Sequence, residues 1–444
     1  MRNYPKFYIT TKGEKFIKTG HVWVFADEVT KVDGEYQNGD IVDVLSPKGK
    51  YIGSGFVNDN SKIRVRIIST NTNDKFDDDF WQRRIRYALN YRRQVMGDDF
   101  NCCRLIFGEA DGFPGLTVDR FNDVLVAQVL SLGTEQRKDL IFKILLHDLP
   151  EIKGIYERND VKIRELEGME QGTGWYQIQS KGNREKGVGR RSQGEGLRVK
   201  GEGLRVKGEG IKEDGLEVSG IRCQVSEIED GVTEIVENGI RYKVDFANGQ
   251  KTGFFLDQKY NRQAVAKLVK GRKVLDCFTH TGSFALNAIK GGAERVTAVD
   301  ISADALKMAK ENAKLNGWQL ETIEANVFDL LTKMLDEHNK DYDFIILDPP
   351  AFTKSGATVQ SATRGYKEIN KKAMKLLPRG GYLATCSCSH FMKEEFFVEM
   401  LKQAAADAAV SLRQVEVRQQ APDHPILWNV PETNYLKFYI FQVV

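Results

Sequence analysis

The sequence predicts an α/β chain whose C-terminal part, residues 246–444, forms a doubly wound parallel sheet. Short apolar segments recur there, each running into a turn or a polar residue, and helical stretches such as residues 303–316 separate them. Strands that alternate with helices in this way are typical of a parallel sheet covered on both faces. The apolar segments are residues 274–277, 296–299, 320–325, 343–347 and 381–385.

The segment 274–284 runs from an apolar strand through a small-residue turn into a helix. Turns of this kind bind ligands in open α/β sheets, because helix N-termini present unpaired N–H groups there. The segment has neither the G-x-G-x-x-G of dinucleotide sites nor the G-x-x-x-x-G-K-[ST] of P-loops. Its one glycine, Gly282, and the acidic strand end Asp276 suit a ligand without phosphate and with cationic ends, such as S-adenosylmethionine. The alternative is a turn that binds no ligand.

Two later strand ends extend this pattern. Asp300 ends the second strand, where an acceptor for ribose hydroxyls is expected. Asn326 follows the third strand and could address the adenine edge, since an amide both donates and accepts. The polar residues therefore all lie at one end of the predicted sheet.

Asp348-Pro349-Pro350 follows the fourth strand and predicts a pocket for a planar base. Prolines remove backbone donors and stiffen the loop, while Asp348 and nearby carbonyls can hold the polar edge of a base. Phe352 offers a face for stacking. A tip of this kind recurs in enzymes that methylate nucleobases, but it does not name the atom that is methylated.

The cysteines narrow the chemistry. C5 of cytosine is a poor nucleophile, and enzymes that methylate it first add a thiolate to C6. Cys386 and Cys388 lie two apart at a strand end, so their side chains share a face, and either could reach a base. Cys277, within the first motif, is interpreted as a small buried apolar residue. A metal site of Cys386, Cys388 and His390 lacks a second ligand pair at zinc spacing, so no metal is expected.

Longer segments make the chain resemble a known family. Residues 20–26 (Gly-His-Val-Trp-Val-Phe-Ala), 51–56, 61–66, 108–116 and 249–258 match motifs of the bacterial 23S rRNA 5-methylcytosine methyltransferases of the RlmI-like family. The resemblance covers nearly everything outside one insertion. Two departures are Asn326, where Asp is commoner, and Lys259, where Arg is usual.

The resemblance implies an N-terminal β-rich PUA-like barrel over residues 1–72, a small α+β connecting domain over 73–245, and a Rossmann-like class I methyltransferase domain over 246–444. It implies methyl transfer from S-adenosylmethionine to C5 of a cytosine in 23S rRNA, with Cys388 as the first choice for nucleophile, Cys386 as the alternative, and Asp348 holding N3 and N4 of the base. Pro349, Pro350 and Phe352 would form the base pocket. The candidate cofactor-binding residues are Gln258, Asp276, Phe278, Thr279, Gly282, Asp300, Ile301, Asn326, Val327 and Asp348.

Three other functions remain open. Related rRNA enzymes with the same Asp-Pro-Pro tip methylate guanine N7 or an exocyclic amine, although these reactions need no thiol. A second option is a ribosome assembly factor that binds RNA without turnover. The third, a small-molecule methyltransferase, leaves the N-terminal module unexplained. The intact motif residues Asp276, Gly282, Asp300 and Asp348 favour an enzyme.

Composition is compatible with these expectations. The chain has 444 residues and a net charge of +3, so RNA binding is not predicted from total charge. The six cysteines show no disulfide spacing, the polar N-terminus has no signal-peptide core, and no segment is long enough to span a membrane. A cytoplasmic protein is expected, whose partner is 23S rRNA or a large-subunit assembly intermediate. The oligomeric state is left open, with a homodimer as one option.

Two basic segments could also contact RNA. Residues 81–93 predict an amphipathic helix with arginines and tyrosines, for which a solvated face is the alternative. Residues 194–200 repeat as 201–207, and their glycines exclude a stable coiled coil. We interpret roughly residues 170–220 as a flexible insertion that arose by a tolerated duplication, with an RNA-contacting tether as the alternative.

Overall fold

The computed structural model describes residues 3–177, 231–353 and 358–444. These residues form three sheets, one hairpin and the helices that cover them. The repeat at 194–207 lies outside the described residues.

The N-terminal sheet has six strands in the order β2-β6-β5-β4-β1-β3, with β1 and β4 parallel and the other neighbours antiparallel. Alternate residues of its strands, such as Val42 and Val44, bury their side chains in a core of their own. Its elements are β1 (Lys6–Ile9), α1 (Thr11–Lys18), β2 (Trp23–Phe25), β3 (Val29–Asp33), β4 (Ile41–Leu45), β5 (Tyr51–Val57) and β6 (Ile63–Ser69).

The connecting segment contains a five-stranded sheet in the order β11-β10-β9-β8-β7. Its elements are α2 (Asp78–Met96), β7 (Cys102–Phe107), β8 (Leu116–Phe121), β9 (Val124–Val129), α3 (Leu132–Glu135), α4 (Lys138–Asp148), β10 (Gly154–Asn159), α5 (Ile163–Leu166) and β11 (Gly172–Trp175). Strand β11 falls within the range interpreted as an insertion. It pairs with β10, and the Trp175 ring packs 5.3 Å from Tyr156 and 5.5 Å from Phe246. The prediction was wrong for these residues, because that packing is not visible in a glycine-rich sequence.

The two faces of this sheet belong to different cores. Along β9, Leu125 and Ala127 pack with α2, α4 and a few residues of the N-terminal sheet. Val124 and Val126, which point to the opposite face, pack with residues of the C-terminal sheet. The period of two in a β-strand therefore makes the connecting sheet a shared wall between the N-terminal and C-terminal parts.

Helix α2 corresponds to the basic segment at 81–93, and part of its charge is structural. Trp81 and Leu89 lie in the core. The fully buried Arg92 donates to both oxygens of Asp111, at 2.5 and 2.7 Å, and to the Asp423 carbonyl at 2.9 Å. Arg92 is therefore not available to meet a phosphate, which the sequence pattern alone did not reveal.

The third sheet has seven strands in the order β16-β15-β14-β17-β18-β20-β19. The first five strands of this order, from β16 to β18, are parallel to one another. Strand β20 runs antiparallel to both of its neighbours, β18 and β19. Its elements are α6 (Lys259–Ala266), β14 (Lys273–Cys277), α7 (Ser283–Lys290), β15 (Arg295–Asp300), α8 (Ala303–Leu315), β16 (Glu321–Glu324), α9 (Val327–Asp336), β17 (Phe344–Leu347), α10 (Val359–Leu376), β18 (Tyr382–Ser387), α11 (Glu394–Ala408), β19 (Leu412–Arg418) and β20 (Lys437–Val443).

This sheet is the predicted doubly wound one, with helices on both faces. Strand order reverses between β14 and β17, and in open α/β sheets ligands bind at the carboxyl ends of strands at such a switch point. Cys277, fully buried at the end of β14, packs in the core as the sequence predicted. The switch point thus places Asp276 and Asp348 on adjacent strand ends.

A hairpin of β12 (Val232–Glu237) and β13 (Ile240–Asp245) precedes the C-terminal sheet. Its apolar face, which includes Ile235 and Tyr242, shares a core with β14 and α7. The buried Glu237 of β12 accepts two hydrogen bonds from Arg262 of α6, each 2.7 Å long. The hairpin is therefore packed and hydrogen-bonded to the C-terminal domain, ahead of the boundary expected at residue 246.

Candidate active site

A cavity of about 360 Å³ opens at the carboxyl ends of β14, β15, β17 and β18. Twelve of the residues predicted from sequence line it. They are Gln258, Phe278, Thr279, Asp300, Ile301, Asn326, Val327, Asp348, Pro349, Pro350, Phe352 and Cys388. Asp276, Gly282 and Cys386, which were also predicted, are not among its lining residues and lie in the layer behind it.

Asp276 holds the turn that follows β14. Its Oδ2 accepts hydrogen bonds from Thr279 Oγ1 at 2.6 Å and from the backbone N–H of Ala285 at 2.9 Å. Its Oδ1 is buried and has no hydrogen-bond partner among the described residues. Burial, together with the nearby Asp348 and Asp300 carboxylates, raises the pKa of Asp276 to about 7. A cation or a hydrogen-bond donor that binds close to Asp276 would therefore stabilise its carboxylate.

The turn itself has an unusual backbone. Phe278 and His280 adopt φ of +63° and +51°, a left-handed conformation that non-glycine residues rarely occupy. The N–H of His280 donates to Asp300 Oδ2 at 2.9 Å, which ties the turn to the end of β15. Two strained residues held by the neighbouring strand are typical of a preorganised ligand site.

Gly282 follows at φ +82°, and a Cβ there would lie 2.9 Å from the Ala309 Cβ. We expect Gly282→Ala to lower the free energy of unfolding by about 2 kcal/mol or more and to weaken S-adenosylmethionine binding at least about tenfold, because α7 must move away from α8. Urea denaturation and calorimetric titration measure the two effects. Gly317→Ala is the control, since Gly317 has φ +74° but open space around it. Equal effects of the two substitutions would show that Gly282 has no special steric role.

The ends of β15 and β16 provide the next wall. Asp300 Oδ1 accepts from the Ser302 N–H at 3.0 Å, and a carboxylate with its two oxygens each bound once can still accept ribose hydroxyls. Ile301 is 69% exposed although it lines the cavity. Asn326 caps α9, because its Oδ1 accepts from the Phe328 N–H at 2.9 Å. The role of Asn326 is thus partly structural, and its amide NH₂ is the group left for an adenine edge.

Asp348, at the end of β17, is partly buried and accepts hydrogen bonds from two neighbours. Its Oδ1 accepts a hydrogen bond from Cys386 Sγ at 2.9 Å and one from Gln258 Nε2 at 3.1 Å. Burial raises the pKa of Asp348 to about 6 and keeps the pKa of the Cys386 thiol well above its usual value. Cys386 is therefore a neutral hydrogen-bond donor behind Asp348.

Cys388 lies beyond the end of β18 and faces the cavity. Burial raises the pKa of its thiol to about 11, and the ammonium of Lys251, on the cavity wall, opposes this rise. Ser387 and Ser389 point the other way, where Ser387 donates to Tyr366 Oη and Ser389 Oγ lies 3.0 Å from the same atom. The alternation expected of a strand end thus separates the two cysteines from the two serines.

A thiol with a raised pKa reacts faster as the pH rises, because only the thiolate is nucleophilic. We expect the rate of Cys388 alkylation by iodoacetamide to rise about tenfold per pH unit between pH 7 and 10. Lys251→Met should slow alkylation at pH 8 by about three- to tenfold, whereas Lys251→Arg should preserve the rate. Peptide mass spectrometry reports Cys388 separately from the other cysteines. An alkylation rate that levels off near pH 8, or that is the same in wild type and Lys251→Met, would contradict the raised pKa of Cys388 and the effect of Lys251 on it.

Sequence reasoning did not predict eleven residues of the cavity wall, among them Lys251, Phe255, Asp257, Arg262, His280 and Leu436. Lys251 and Phe255 belong to the segment 249–258, so a signal was present, but no role followed from it. The Lys251 ammonium lies 4.5 Å from the centroid of the Phe255 ring. Burial lowers the pKa of His280 to about 4, so its imidazole is neutral at physiological pH.

The cavity has carboxyl groups at the strand ends, and the cationic side chains of Lys251 and Arg262 also line it. Asp276, Asp300 and Asp348 converge at the carboxyl ends of three neighbouring strands, and apolar side chains such as Ile301 and Val327 face the same space. S-adenosylmethionine has a sulfonium, an ammonium and an apolar adenine face. The unpartnered Asp276 oxygen and the exposed Ile301 side chain both fit such a molecule.

Comparison with known proteins agrees with this geometry. Residues 223–442 match the family model described as S-adenosylmethionine-dependent methyltransferase, and residues 7–70 match a PUA-like domain. Ribosomal RNA large subunit methyltransferase I of Aeromonas salmonicida is 36% identical over 97% of both chains, and that of Vibrio cholerae serotype O1 is 35% identical over 99% of this chain and 100% of its own. The chain belongs to the ribosomal RNA large subunit methyltransferase I family.

Membership of this family makes S-adenosylmethionine the cofactor of the chain. Solved structures show the same fold: a putative S-adenosylmethionine-dependent methyltransferase from Streptococcus mutans superposes with a TM-score of 0.74 at 19% identity, over 99% of this chain and 100% of its own. A putative methyltransferase in complex with S-adenosylhomocysteine, the demethylated cofactor, gives 0.75 at the same identity and coverage. The methyltransferase match begins at residue 223 and so includes the hairpin β12–β13.

No helix of residues 3–177, 231–353 and 358–444 is long and apolar enough to cross a membrane. Within the same residues, no group of three or more histidine, cysteine, aspartate or glutamate side chains is arranged to hold a metal ion.

Proposed function

We propose that the chain transfers a methyl group from S-adenosylmethionine to C5 of a cytosine in large-subunit rRNA. The substrate would be 23S rRNA or an assembly intermediate of the large subunit, in the reducing cytoplasm. The rRNA substrate is inferred from the names of the relatives and from the PUA-like domain. The main observation in favour of C5 is that Cys388 faces the same cavity as Asp348 and the cofactor-binding residues.

The reaction needs a nucleophile for C6 and a group that holds the cytosine by hydrogen bonds. The Cys388 thiolate adds to C6 of the flipped cytosine, and the electron pair of the C5–C6 bond moves so that C5 becomes nucleophilic. S-adenosylmethionine, when bound, supplies an electrophilic methyl group to C5. Loss of the C5 proton and expulsion of the thiolate then restore the aromatic ring and the enzyme.

Asp348 is suited to the polar edge of cytosine. Both hydrogen bonds that it accepts from Gln258 and Cys386 go to Oδ1, so Oδ2 keeps its capacity to bond to a ligand. Because burial raises the pKa of Asp348 to about 6, a protonated fraction exists near neutral pH. A protonated carboxyl donates to N3 and accepts from the N4 amino group, and this clamp also stabilises charge that develops on the ring during addition.

The base pocket is completed by Pro349, Pro350 and Phe352, which line the cavity beside Asp348. The Phe352 ring is itself fixed, since its centroid lies 4.5 Å from Tyr366 and 5.8 Å from Phe328. A base that enters this pocket replaces the stacking that it loses in the RNA. The rigid aromatic wall therefore supports nucleobase chemistry over a small-molecule substrate.

Methylation at guanine N7 or at an exocyclic amine is the second candidate, because the Asp-Pro-Pro tip is compatible with it. The deciding experiment is transfer of labelled methyl groups to 23S rRNA from cells that lack the enzyme, followed by nucleoside analysis. Label in 5-methylcytosine is the expected result. Label in another nucleoside would overturn the C5 assignment, and cofactor binding without any transfer would favour an assembly factor.

A further inference from the structure

Trp428 is the most exposed large apolar residue among the described ones, at 93%. We infer that its indole is a stacking platform for an unpaired nucleobase of the RNA next to the flipped cytosine. This inference depends on the proposed RNA substrate and extends it to a second contact on the protein surface. A single exposed apolar residue is common on protein surfaces, so a partner for Trp428 is inferred from where it lies and what surrounds it.

The loop that presents Trp428 is held by hydrogen bonds. Leu427 and Val430 close a tight turn through an N–H···O bond of 2.8 Å from Val430 to Leu427, and Trp428 lies at its corner. Thr433 Oγ1 accepts from the Leu427 N–H at 2.8 Å and donates to the Val430 carbonyl at 2.7 Å. Because Val430 is fully buried, the turn is anchored while the indole points outward.

This loop joins the cofactor cavity to the PUA-like domain. At one end Leu436 lines the cavity. At the other end Glu432 lies 3.4 Å from His21, and Asn429 packs so closely on Gly20 that a Cβ there would lie 2.8 Å from the Asn429 Cβ. An RNA strand held by both the PUA-like domain and the cavity would therefore pass beside Trp428.

The neighbouring surface has the charge and the aromatic groups that RNA requires. Lys12 and Lys15 of α1 line a groove near Gly20. The other residues that line it are Phe16, Thr19, Phe25 and Glu28, and the Glu28 carboxylate is buried and accepts from the Phe25 N–H. Phe16 stacks on His21 with ring centroids 3.9 Å apart. Cations that track a backbone, interleaved with aromatic faces, are typical of surfaces that bind single-stranded nucleic acid. This charge favours RNA over an apolar protein partner or a second copy of the chain.

A stacking platform would compensate for the stacking that is lost when the target base is flipped out of the RNA. A nucleotide whose neighbour has been flipped loses one stacking partner, and an aromatic side chain can replace it. Trp offers the largest ring and little rotamer freedom to lose. The platform would lower the cost of extraction without reading sequence, because every base has a face that stacks.

The test uses the full chain and an end-labelled single-stranded oligoribonucleotide that contains cytidine, titrated at fixed salt. Trp428→Ala is expected to raise Kd by about 5- to 100-fold, which corresponds to the loss of one base–aromatic stack. Trp428→Phe should remain within about threefold of wild type. Phe396→Ala removes a half-exposed ring from α11 and serves as the matched control, with no expected change. The affinity for S-adenosylmethionine should be the same in all variants.

Several outcomes would overturn the inference. They are a Trp428→Ala affinity within twofold of wild type, a Trp428→Phe defect as large as that of alanine, and a loss of self-association in light scattering with RNA affinity unchanged. The last result would assign the residue to a dimer contact. Because RNA binding is measured without turnover, failure of the C5 assignment in the nucleoside assay is recorded separately from failure of the platform.

Discussion

Replacement of Cys388 by alanine is expected to lower the rate of methyl transfer to rRNA by on the order of 10⁴-fold or more, because without a thiolate at C6 the C5 atom stays a poor nucleophile. Binding of S-adenosylmethionine should change little, since the proposed mechanism assigns Cys388 to the base and not to the cofactor. The rate is measured with labelled cofactor in single-turnover conditions, and the affinity by calorimetry.

Cys386→Ala is the matched control for this variant. Cys386 is fully buried, and its Sγ donates to Asp348 Oδ1 at 2.9 Å, so its loss should cost about tenfold or less through a less well held carboxyl. A large defect in Cys386→Ala with an active Cys388→Ala would reverse the assignment of the nucleophile. Full activity in both Cys386→Ala and Cys388→Ala would contradict a mechanism in which either thiol is the nucleophile.

RNA with 5-fluorocytidine at the target adds an independent readout. Fluorine leaves no proton at C5 to be lost after methylation, so the thiolate cannot be expelled and a covalent protein–RNA adduct accumulates. Wild-type enzyme and Cys386→Ala should form this adduct, and Cys388→Ala should not. An adduct that persists in Cys388→Ala would identify a different nucleophile.

The second large effect concerns the ion pair between Arg262 and Glu237, whose side chains are 1% and 0% exposed. Arg262→Met is expected to lower the free energy of unfolding by about 3–5 kcal/mol, because it leaves the Glu237 charge buried without its partner. It also removes the hydrogen bond from Arg262 Nη2 to the Phe255 carbonyl, 2.9 Å long, beside the cavity. Chemical denaturation measures the loss.

The same hairpin supplies an exposed control. Arg241 and Glu234 form a pair of equal length, 2.7 Å, with side chains 54% and 46% exposed. Arg241→Met should cost about 0–1 kcal/mol, since water and salt screen such a pair. The double variant Arg262→Met with Glu237→Met should regain part of the stability lost in Arg262→Met. Equal losses in the two single arginine variants would contradict a special role for the buried pair.

The C-terminal fold could be predicted because its information is local. Each apolar segment from 274 to 385 carries its own strand signal, and the helices between them force parallel pairing. Asp276, Asp300 and Asp348 each end a parallel strand, so their meeting at one edge followed from sequence order. The cavity residues nearest these strand ends were predicted for the same reason.

Other features depend on contacts between distant parts of the chain. Which cysteine faces the cavity is decided by β18 and its neighbours, because Cys386 is covered by Asp348 and Gln258 while Cys388 is not. Asp119 of the connecting sheet accepts from Thr252 Oγ1 at 2.6 Å and from Arg104, and so supports the segment that contains Lys251. No periodicity in the sequence encodes such pairings.

The sequence by itself thus determined the five parallel strands and the order of the polar residues at their ends, because strand and turn preferences act over a few residues. It did not predict the two antiparallel strands, β19 and β20, that complete the sheet. Only the tertiary structure decided that Arg92 is buried, that Asn326 caps a helix and that residues 172–175 form a strand. It also decided that Lys251 lines the cavity and that Trp428 is exposed to solvent. The physical reason is that burial and electrostatic environment are set by whatever the folded chain places nearby, at any sequence separation.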